Sequence, residues 1–195
     1  AEQPYMTFPH AFTLRIAFAL EEDGLHQRIT VTNDSTQNMP FALGFHTTFA
    51  LPFVQGGRVE DVRLKLGVAE EIVRNMDTFL PTGEVIAASP LRQALLQGTL
   101  QPCMHTISRH FAMDASREMR LTDAVRGVQL IYRAQPPYAY WMLYNGGRKD
   151  LLCVEPQTWV NNCPNAPFDR EKTGFQFLTP GESRTYETQL TLTAC

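Results

Sequence analysis

The sequence predicts a mainly β chain that folds as an antiparallel sandwich or barrel. Several short segments alternate large apolar residues with small or polar ones, turn residues separate these segments at short intervals, and only one short segment carries the signals of an α-helix. The chain has 195 residues, which is enough for one domain with a real core. No repeat, low-complexity tract or linker divides it. We therefore interpret residues 1–195 as a single domain.

The N-terminal part predicts a β-hairpin. Residues 12–20, FTLRIAFAL, place every large apolar side chain on an even position, which predicts a strand with one buried face. Residues 21–24, EEDG, are typical of a turn. Residues 25–33 alternate again, so we expect them to pair with the first strand.

The middle of the chain gives weaker signals. Residues 62–68 predict a strand, and LPTGE at residues 80–84 predicts a turn between two extended segments. Residues 104–121 show no clean periodicity. Residues 89–97 predict the one helix, because a serine can cap it, a proline suits its first position and a glycine follows it. The remaining strand predictions are residues 127–134, 138–145, 150–156 and 185–193.

Composition argues against several classes of function. The net charge is -3 with a pI near 6.0, and no basic stripe suggests nucleic-acid binding. The sequence has no run of 18 or more apolar residues, so it predicts no membrane span. No glycine-rich phosphate loop of the usual patterns is present. The widely spaced cysteines predict free thiols in a cytoplasmic protein rather than a zinc site or disulfides; they are Cys103, Cys153, Cys163 and Cys195.

One histidine interrupts an otherwise apolar and aromatic run, PFALGFHTTFALP at residues 40–52. A strand there would place residues 41, 43 and 45 on one face. His46 is then either a hydrogen-bonded core histidine or an acid/base group placed in a cleft. The local residues alone favour the core histidine.

A second candidate is Glu155, which ends an apolar segment and precedes a proline in LLCVEP. Desolvation there would raise the pKa of the carboxyl and suit it to act as a base. A carboxylate bonded to backbone amides at the strand end is an equally good interpretation. His46 and Glu155 are far apart in the sequence, so only the fold can bring them together.

Several segments, taken in order, resemble the aldose 1-epimerase (galactose mutarotase) family. GFHTTFALP is similar to the family's G-x-H-P-Y-F segment, and VEPQTWVNNCPNAPF is similar to its E-P-x-T segment and the loop that follows. The intervening pieces agree in order: GLHQRITVTN followed by MPFALGFH, the FLPTGE turn, YAYWMLYNG and FLTPGES. The match spans nearly the whole chain, and it implies an antiparallel β-sandwich of the galactose mutarotase type.

The resemblance implies a cofactor-free interconversion of the α and β anomers of a hexose. Glu155 stands where the family has its base, and His46 stands where the family has its acid. A sugar pocket also needs aromatic faces, for which the sequence offers four candidates, although each is individually more typical of a core. These four are Phe45, Phe49, Tyr144 and Trp159.

The sequence departs from the family pattern at three places. The family's N-terminal region, with its sugar-binding arginine-asparagine segment and second histidine, has no counterpart, so we expect a sandwich truncated at its N-terminus. Ser108 stands where the family has a sugar-binding aspartate. Thr47 and Thr48 replace the family's proline and tyrosine after the acid histidine.

Three hypotheses follow. The first is an aldose 1-epimerase-like isomerase acting on a monosaccharide. The second is a truncated or diverged domain that binds a carbohydrate or another protein without turnover. The third is a generic β-sandwich in which His46 is merely buried, which requires His46 and Glu155 to lie apart.

Two further expectations concern partners and metals. A truncated sandwich exposes strand edges, so we expect a homodimer or another segment to cover them. His105 and His110 are close in sequence but lack a third ligand at useful spacing, so we expect no metal.

Overall fold

A computed structural model describes residues 7–195, which form fourteen β-strands, one α-helix and four 3₁₀ turns. The strands are β1 (Phe12–Glu21), β2 (Gly24–Asn33), β3 (Met39–Phe41), β4 (Thr48–Ala50), β5 (Val62–Leu66), β6 (Val68–Arg74), β7 (Pro81–Ile86), β8 (Ser108–Met113), β9 (Glu118–Asp123), β10 (Val128–Ala134), β11 (Tyr140–Tyr144), β12 (Leu151–Gln157), β13 (Gln176–Leu178) and β14 (Ser183–Ala194). Helix α1 spans Pro90–Gln97, and the 3₁₀ turns are Val59–Asp61, Pro102–Met104, Cys163–Asn165 and Arg170–Thr173. Within the described residues, no helix has the length and apolar character needed to cross a bilayer.

Two six-stranded antiparallel sheets pack face to face, which confirms the predicted fold class. The first sheet has the order β1-β2-β14-β10-β9-β5, and the second has the order β4-β12-β11-β8-β6-β7. Strands β13 and β3 form a separate two-stranded pair. One apolar core lies between the sheets, where Tyr132 of the first sheet contacts Trp141 and Phe49 of the second at centroid distances of 6.0 and 5.9 Å. The sandwich therefore buries one face of each sheet.

The N-terminal hairpin forms as predicted, but the prediction that β1 has a buried face is wrong. Every residue of β1 is exposed. The register pairs Leu14 with Val31 and Ile16 with Ile29, so the apolar side of β1 continues the face that β2 turns to the core. No described part of the second sheet reaches far enough to cover it, because β1 lies beyond β2 at the sheet edge. The alternation identified the face correctly and could not identify what packs on it.

The strand expected over residues 62–68 is in fact two strands. It divides at Gly67, where a Cβ atom would clash with the side chains of Ser116 and Asp114.

The prediction of a turn at residues 80–84 is wrong, because β7 already begins at Pro81. The actual turn begins at Asn75, whose Oδ1 accepts from the Asp77 N–H at 2.9 Å. Local Asx chemistry makes this turn.

Other predictions are confirmed. The Ser89 side chain accepts from the Arg92 N–H at 3.1 Å and caps α1, and Gly98 ends the helix at a φ of 70°. The strands predicted in the second half of the chain form β10, β11, β12 and β14 with small boundary shifts. All four cysteines are free thiols. The segment 104–121, which shows no clean periodicity, contains β8 and β9. The periodicity of β8 is obscured because polar residues stand on its outward face and this face is itself partly buried.

A buried asparagine ties the end of β11 to the loop before β8. Asn145 Oδ1 accepts from the N–H groups of Ile107 and Gly147 at 2.9 and 3.0 Å, and its Nδ2 donates to the carbonyls of Pro102 and His105 at 3.2 and 2.7 Å. The side chain is fully buried, so water cannot replace these bonds.

We predict that Asn145→Ala lowers the free energy of unfolding by about 2–4 kcal/mol, because it leaves several buried backbone groups unpaired. Urea denaturation monitored by circular dichroism measures this change. Asn38→Ala, at an exposed position, is the control and should change stability by less than about 0.5 kcal/mol. Equal effects of the two substitutions would contradict the role assigned to Asn145.

Candidate active site

The candidate site lies on the outer face of the second sheet. The core residues Trp141, Leu143 and Val154 point inward, so the residues that alternate with them point outward. Strand pairing arranges the outward residues in two adjacent rows. The first row is Ile72, His110, Met142 and Glu155, and the second is Ser108, Tyr144, Cys153 and Thr48.

Glu155 occupies the outward face of β12, where its side chain is 11% exposed. Burial raises the pKa of the Glu155 carboxyl above its ordinary value, against the lowering influence of the His46 imidazole, the Gln157 side chain and the Arg74 guanidinium. The desolvated carboxyl is therefore a stronger proton acceptor than an exposed glutamate.

His46 lies in the irregular segment 42–47 between β3 and β4, and the strand expected there does not form. Backbone bonds hold this segment along β12: the Phe45 N–H donates to the Pro156 carbonyl at 3.2 Å, and the Val154 N–H donates to the Thr47 carbonyl at 2.9 Å. At Gly44, a Cβ atom would lie 3.1 Å from Gln157 Cγ, so glycine permits this close approach.

The two predicted catalytic side chains meet. His46 Nε2 lies 3.3 Å from Glu155 Oε1, although the imidazole side chain is 68% exposed. His46 is thus not a core histidine, and the hypothesis that separates it from Glu155 is wrong. Its Nδ1 lies 3.3 Å from Thr48 Oγ1, which helps to orient the ring. A solvent-facing imidazole in contact with a desolvated carboxylate can exchange protons with one reactant held over both groups.

Of the other predicted site residues, two lie on the same face as Glu155 and three do not. Ser108 and Tyr144 share the outward face with Glu155, and Tyr144 is 40% exposed. Phe49 is buried in the core, and Phe45 packs against it. Trp159 lines an apolar groove of about 460 Å³ whose lining includes neither His46 nor Glu155. The groove is also lined by Phe8, Phe12, Leu14, Phe41 and Phe175.

The structure adds a residue that the sequence did not indicate. Arg74 ends β6, and its Nη2 donates to Ser108 Oγ at 2.9 Å. Its guanidinium also acts on Glu155, lowering the pKa of that carboxyl. A register shift lies between Ile72 and Arg74, so counting alternate positions along β6 could not have placed this side chain. No motif signal would have found it.

The two histidines considered as metal ligands lie elsewhere. His105 is exposed, whereas His110 is fully buried beside Tyr140 with no hydrogen-bond partner on either ring nitrogen among the described residues. Burial, with the nearby Arg74 guanidinium, lowers the pKa of His110 to about 3, so its ring is neutral. Neither residue belongs to a metal-ligand cluster within residues 7–195.

Comparison with known proteins identifies the family and the fold of the chain. The model of the aldose 1-epimerase family matches residues 1–191. A galactose mutarotase-like protein from Clostridium acetobutylicum is 29% identical, with a TM-score of 0.92 over 96% of this chain and 58% of that one.

Two more distant structures share the fold. A galactose mutarotase-like protein from Lactobacillus casei is 23% identical, with a TM-score of 0.70 over 95% of this chain and 65% of that one. An aldose epimerase homologue from C. elegans is 18% identical, with a TM-score of 0.72 over 96% of this chain and 61% of that one. The chain thus spans 58% to 65% of the length of these three proteins.

Proposed function

Because the chain belongs to the aldose 1-epimerase family, we propose that it interconverts the α and β anomers of a hexose. The observation that carries this proposal is the 3.3 Å contact between His46 Nε2 and Glu155 Oε1 on the outer face of the second sheet, where the His46 side chain is exposed. The anomeric hydroxyl oxygen and the ring oxygen of a hexose are bonded to the same carbon. An acid and a base in contact with each other can therefore each reach one of these oxygens.

The reaction then follows from the two side chains. The Glu155 carboxylate takes the proton of the anomeric hydroxyl while the His46 imidazolium gives a proton to the ring oxygen. The bond between the anomeric carbon and the ring oxygen breaks, which leaves an open-chain aldehyde. After the carbonyl end rotates, His46 takes the proton back from the chain hydroxyl as its oxygen attacks the other carbonyl face. Glu155 returns its proton to the new anomeric oxygen, so the pair is restored.

The neighbouring outward residues are suited to hold a sugar. Tyr144 offers a partly exposed ring in the row next to Glu155, and Ser108 and Arg74 offer polar groups beside it. Aromatic faces and fixed donors of this kind bind the apolar and hydroxyl surfaces of sugars. The four free thiols fit a reducing compartment, and we propose a cytoplasmic location.

A second candidate is a domain that binds a sugar without turnover. The observation that favours it is the Ser108–Arg74 hydrogen bond, since this position offers no carboxylate to the sugar. Sugar binding by calorimetry without any rate enhancement would select this candidate over the enzyme.

We predict that Glu155→Gln slows anomer equilibration by about 10²–10⁴-fold, because it removes the base. Polarimetry of freshly dissolved α-glucose or α-galactose measures the rate. Glu171→Gln changes an exposed carboxylate elsewhere and should leave the rate unchanged. A Glu155→Gln protein as fast as the parent would exclude Glu155 as the base.

We also predict that Tyr144→Ala raises KM by roughly 3–10-fold, because the sugar loses an aromatic face worth about 0.5–1.5 kcal/mol. Tyr144→Phe keeps the ring and should retain most of the affinity. A KM that is the same in all three proteins would show that the ring does not contact the sugar.

We further propose that a second copy of the chain covers the edge of β1 that no strand pairs with within residues 7–195. The Asn33 N–H donates to the carbonyl of Glu182, just before β14, and the Asp34 N–H donates to the carbonyl of Ala11, just before β1, both at 2.9 Å. Because backbone direction alternates along a strand, the even positions of β1 turn their N–H and C=O groups to the free edge. The same positions carry the exposed apolar side chains, Phe12, Leu14, Ile16, Phe18 and Leu20.

Charge complementarity favours one register for this pairing. An antiparallel pair centred on Phe18 sets Arg15 opposite Glu21 of the second copy, and the two-fold axis repeats this ion pair. Ile16 then faces Leu20 of the second copy. Exposed ion pairs contribute little affinity, so they select the register while the backbone bonds and apolar side chains hold the pair.

We predict that Arg15→Glu and Glu21→Arg each weaken dimerisation by roughly tenfold or more, because attraction becomes repulsion at two places. The double variant restores opposite charges and should restore the dimer. Analytical ultracentrifugation measures all four proteins. A monomeric parent at micromolar concentration, or no rescue in the double variant, would overturn this pairing.

A further inference from the structure

Three side chains of different metal-binding chemistry converge at the candidate site. His46, Cys153 and Glu155 each offer one donor atom, and these three atoms lie within 4.8 Å of one another. Cys153 and Glu155 are two positions apart on β12 and therefore share its outward face. His46 reaches them because its segment lies along the same strand.

The donor set indicates which cation fits. Imidazole, thiolate and carboxylate together are ligands of Zn²⁺ and similar divalent ions, whereas Mg²⁺ and Ca²⁺ prefer oxygen alone. Two ligands of a tetrahedral zinc ion lie about 3.3–3.6 Å apart, given the usual bond lengths. The 3.3 Å between His46 Nε2 and Glu155 Oε1 already meets this geometry.

Thr48 supports the same arrangement. Its Oγ1 lies 3.3 Å from His46 Nδ1 and 3.3 Å from Cys153 Sγ. A hydroxyl that accepts from the Nδ1–H leaves the Nε2 lone pair directed at the cluster, as the outer partners of zinc-bound histidines do. The mostly exposed His46 ring is free to make the small movement that closes the site around an ion.

We propose that His46, Cys153 and Glu155 bind Zn²⁺ or a divalent ion of the same class, and that the bound ion inhibits the enzyme. On binding, Cys153 forms a sulfur–metal bond and releases its thiol proton to solvent. His46 Nε2 and a Glu155 oxygen each replace a water of the ion, and one water completes the tetrahedron. The lone pairs that would exchange protons with a sugar are then occupied. The inhibition rests on the proposed function, whereas the binding does not.

Cobalt titration tests the binding directly, since Co²⁺ takes the same ligands and reports a thiolate ligand by charge-transfer absorption in the near ultraviolet. The parent chain should develop this band, and Zn²⁺ should abolish it. Cys153→Ser should lose the band. Cys163→Ser is the matched control, because Cys163 is also a buried free thiol but lies outside the cluster, and it should keep the band.

His46→Ala is a second variant. The His46 side chain is 68% exposed, so we expect its removal to leave the fold intact and to weaken cobalt binding by about tenfold or more. A parent chain without the band, or a band that persists in a folded Cys153→Ser protein, would overturn the proposal.

A rate measurement tests the inhibition separately. Zn²⁺ should slow anomer equilibration by the parent and by Cys163→Ser, and Cys153→Ser should need at least about tenfold more zinc for the same effect. Cobalt binding in a chain that equilibrates no sugar would retain the metal site and reject the proposed function. Equal zinc sensitivity of the parent and Cys153→Ser would reject inhibition through this cluster.

Discussion

The site depends on the backbone contacts that hold segment 42–47 against β12. The Phe45 and Leu43 amides and the Thr47 carbonyl bond to β12 and to the residue that follows it, with the Thr158 hydroxyl accepting from the Leu43 N–H at 3.0 Å. This constraint keeps an exposed imidazole within 3.3 Å of a desolvated carboxylate. The same placement brings Cys153 into the cluster, so the proposed acid/base chemistry and the proposed metal binding draw on one arrangement.

Much of the fold could be predicted because the local patterns agree with the tertiary structure. The alternation in β1 and β2, the EEDG turn and the cap at Ser89 are short-range features that need no distant contact. The prediction of a turn at residues 80–84 was wrong because it rested on a local signal alone. An Asx turn at Asn75 competes with the proline-glycine signal, and only the pairing of β6 with β7 decides between them.

The site was predicted in part. His46 and Glu155 came from motif segments, and their contact needed the fold because the two residues are distant in the chain. Aromatic residues gave no such guidance: Phe49 fills the core and Trp159 lines another groove, and nothing in their sequence surroundings separates them from Tyr144. Arg74 was missed because a register shift places it. Exposure of β1 was also beyond the sequence, since alternation reports a face and not what covers it.

The central claim is that His46 and Glu155 act as one acid/base unit. Exchange NMR between the α and β anomeric protons of glucose at equilibrium measures the rate for the parent, His46→Ala, Glu155→Gln and the double variant. If the pair acts as a unit, the double variant is about as slow as the slower single variant, because removing either member already disables the step. Losses that multiply in the double variant, or a parent chain that does not accelerate exchange, would contradict the claim.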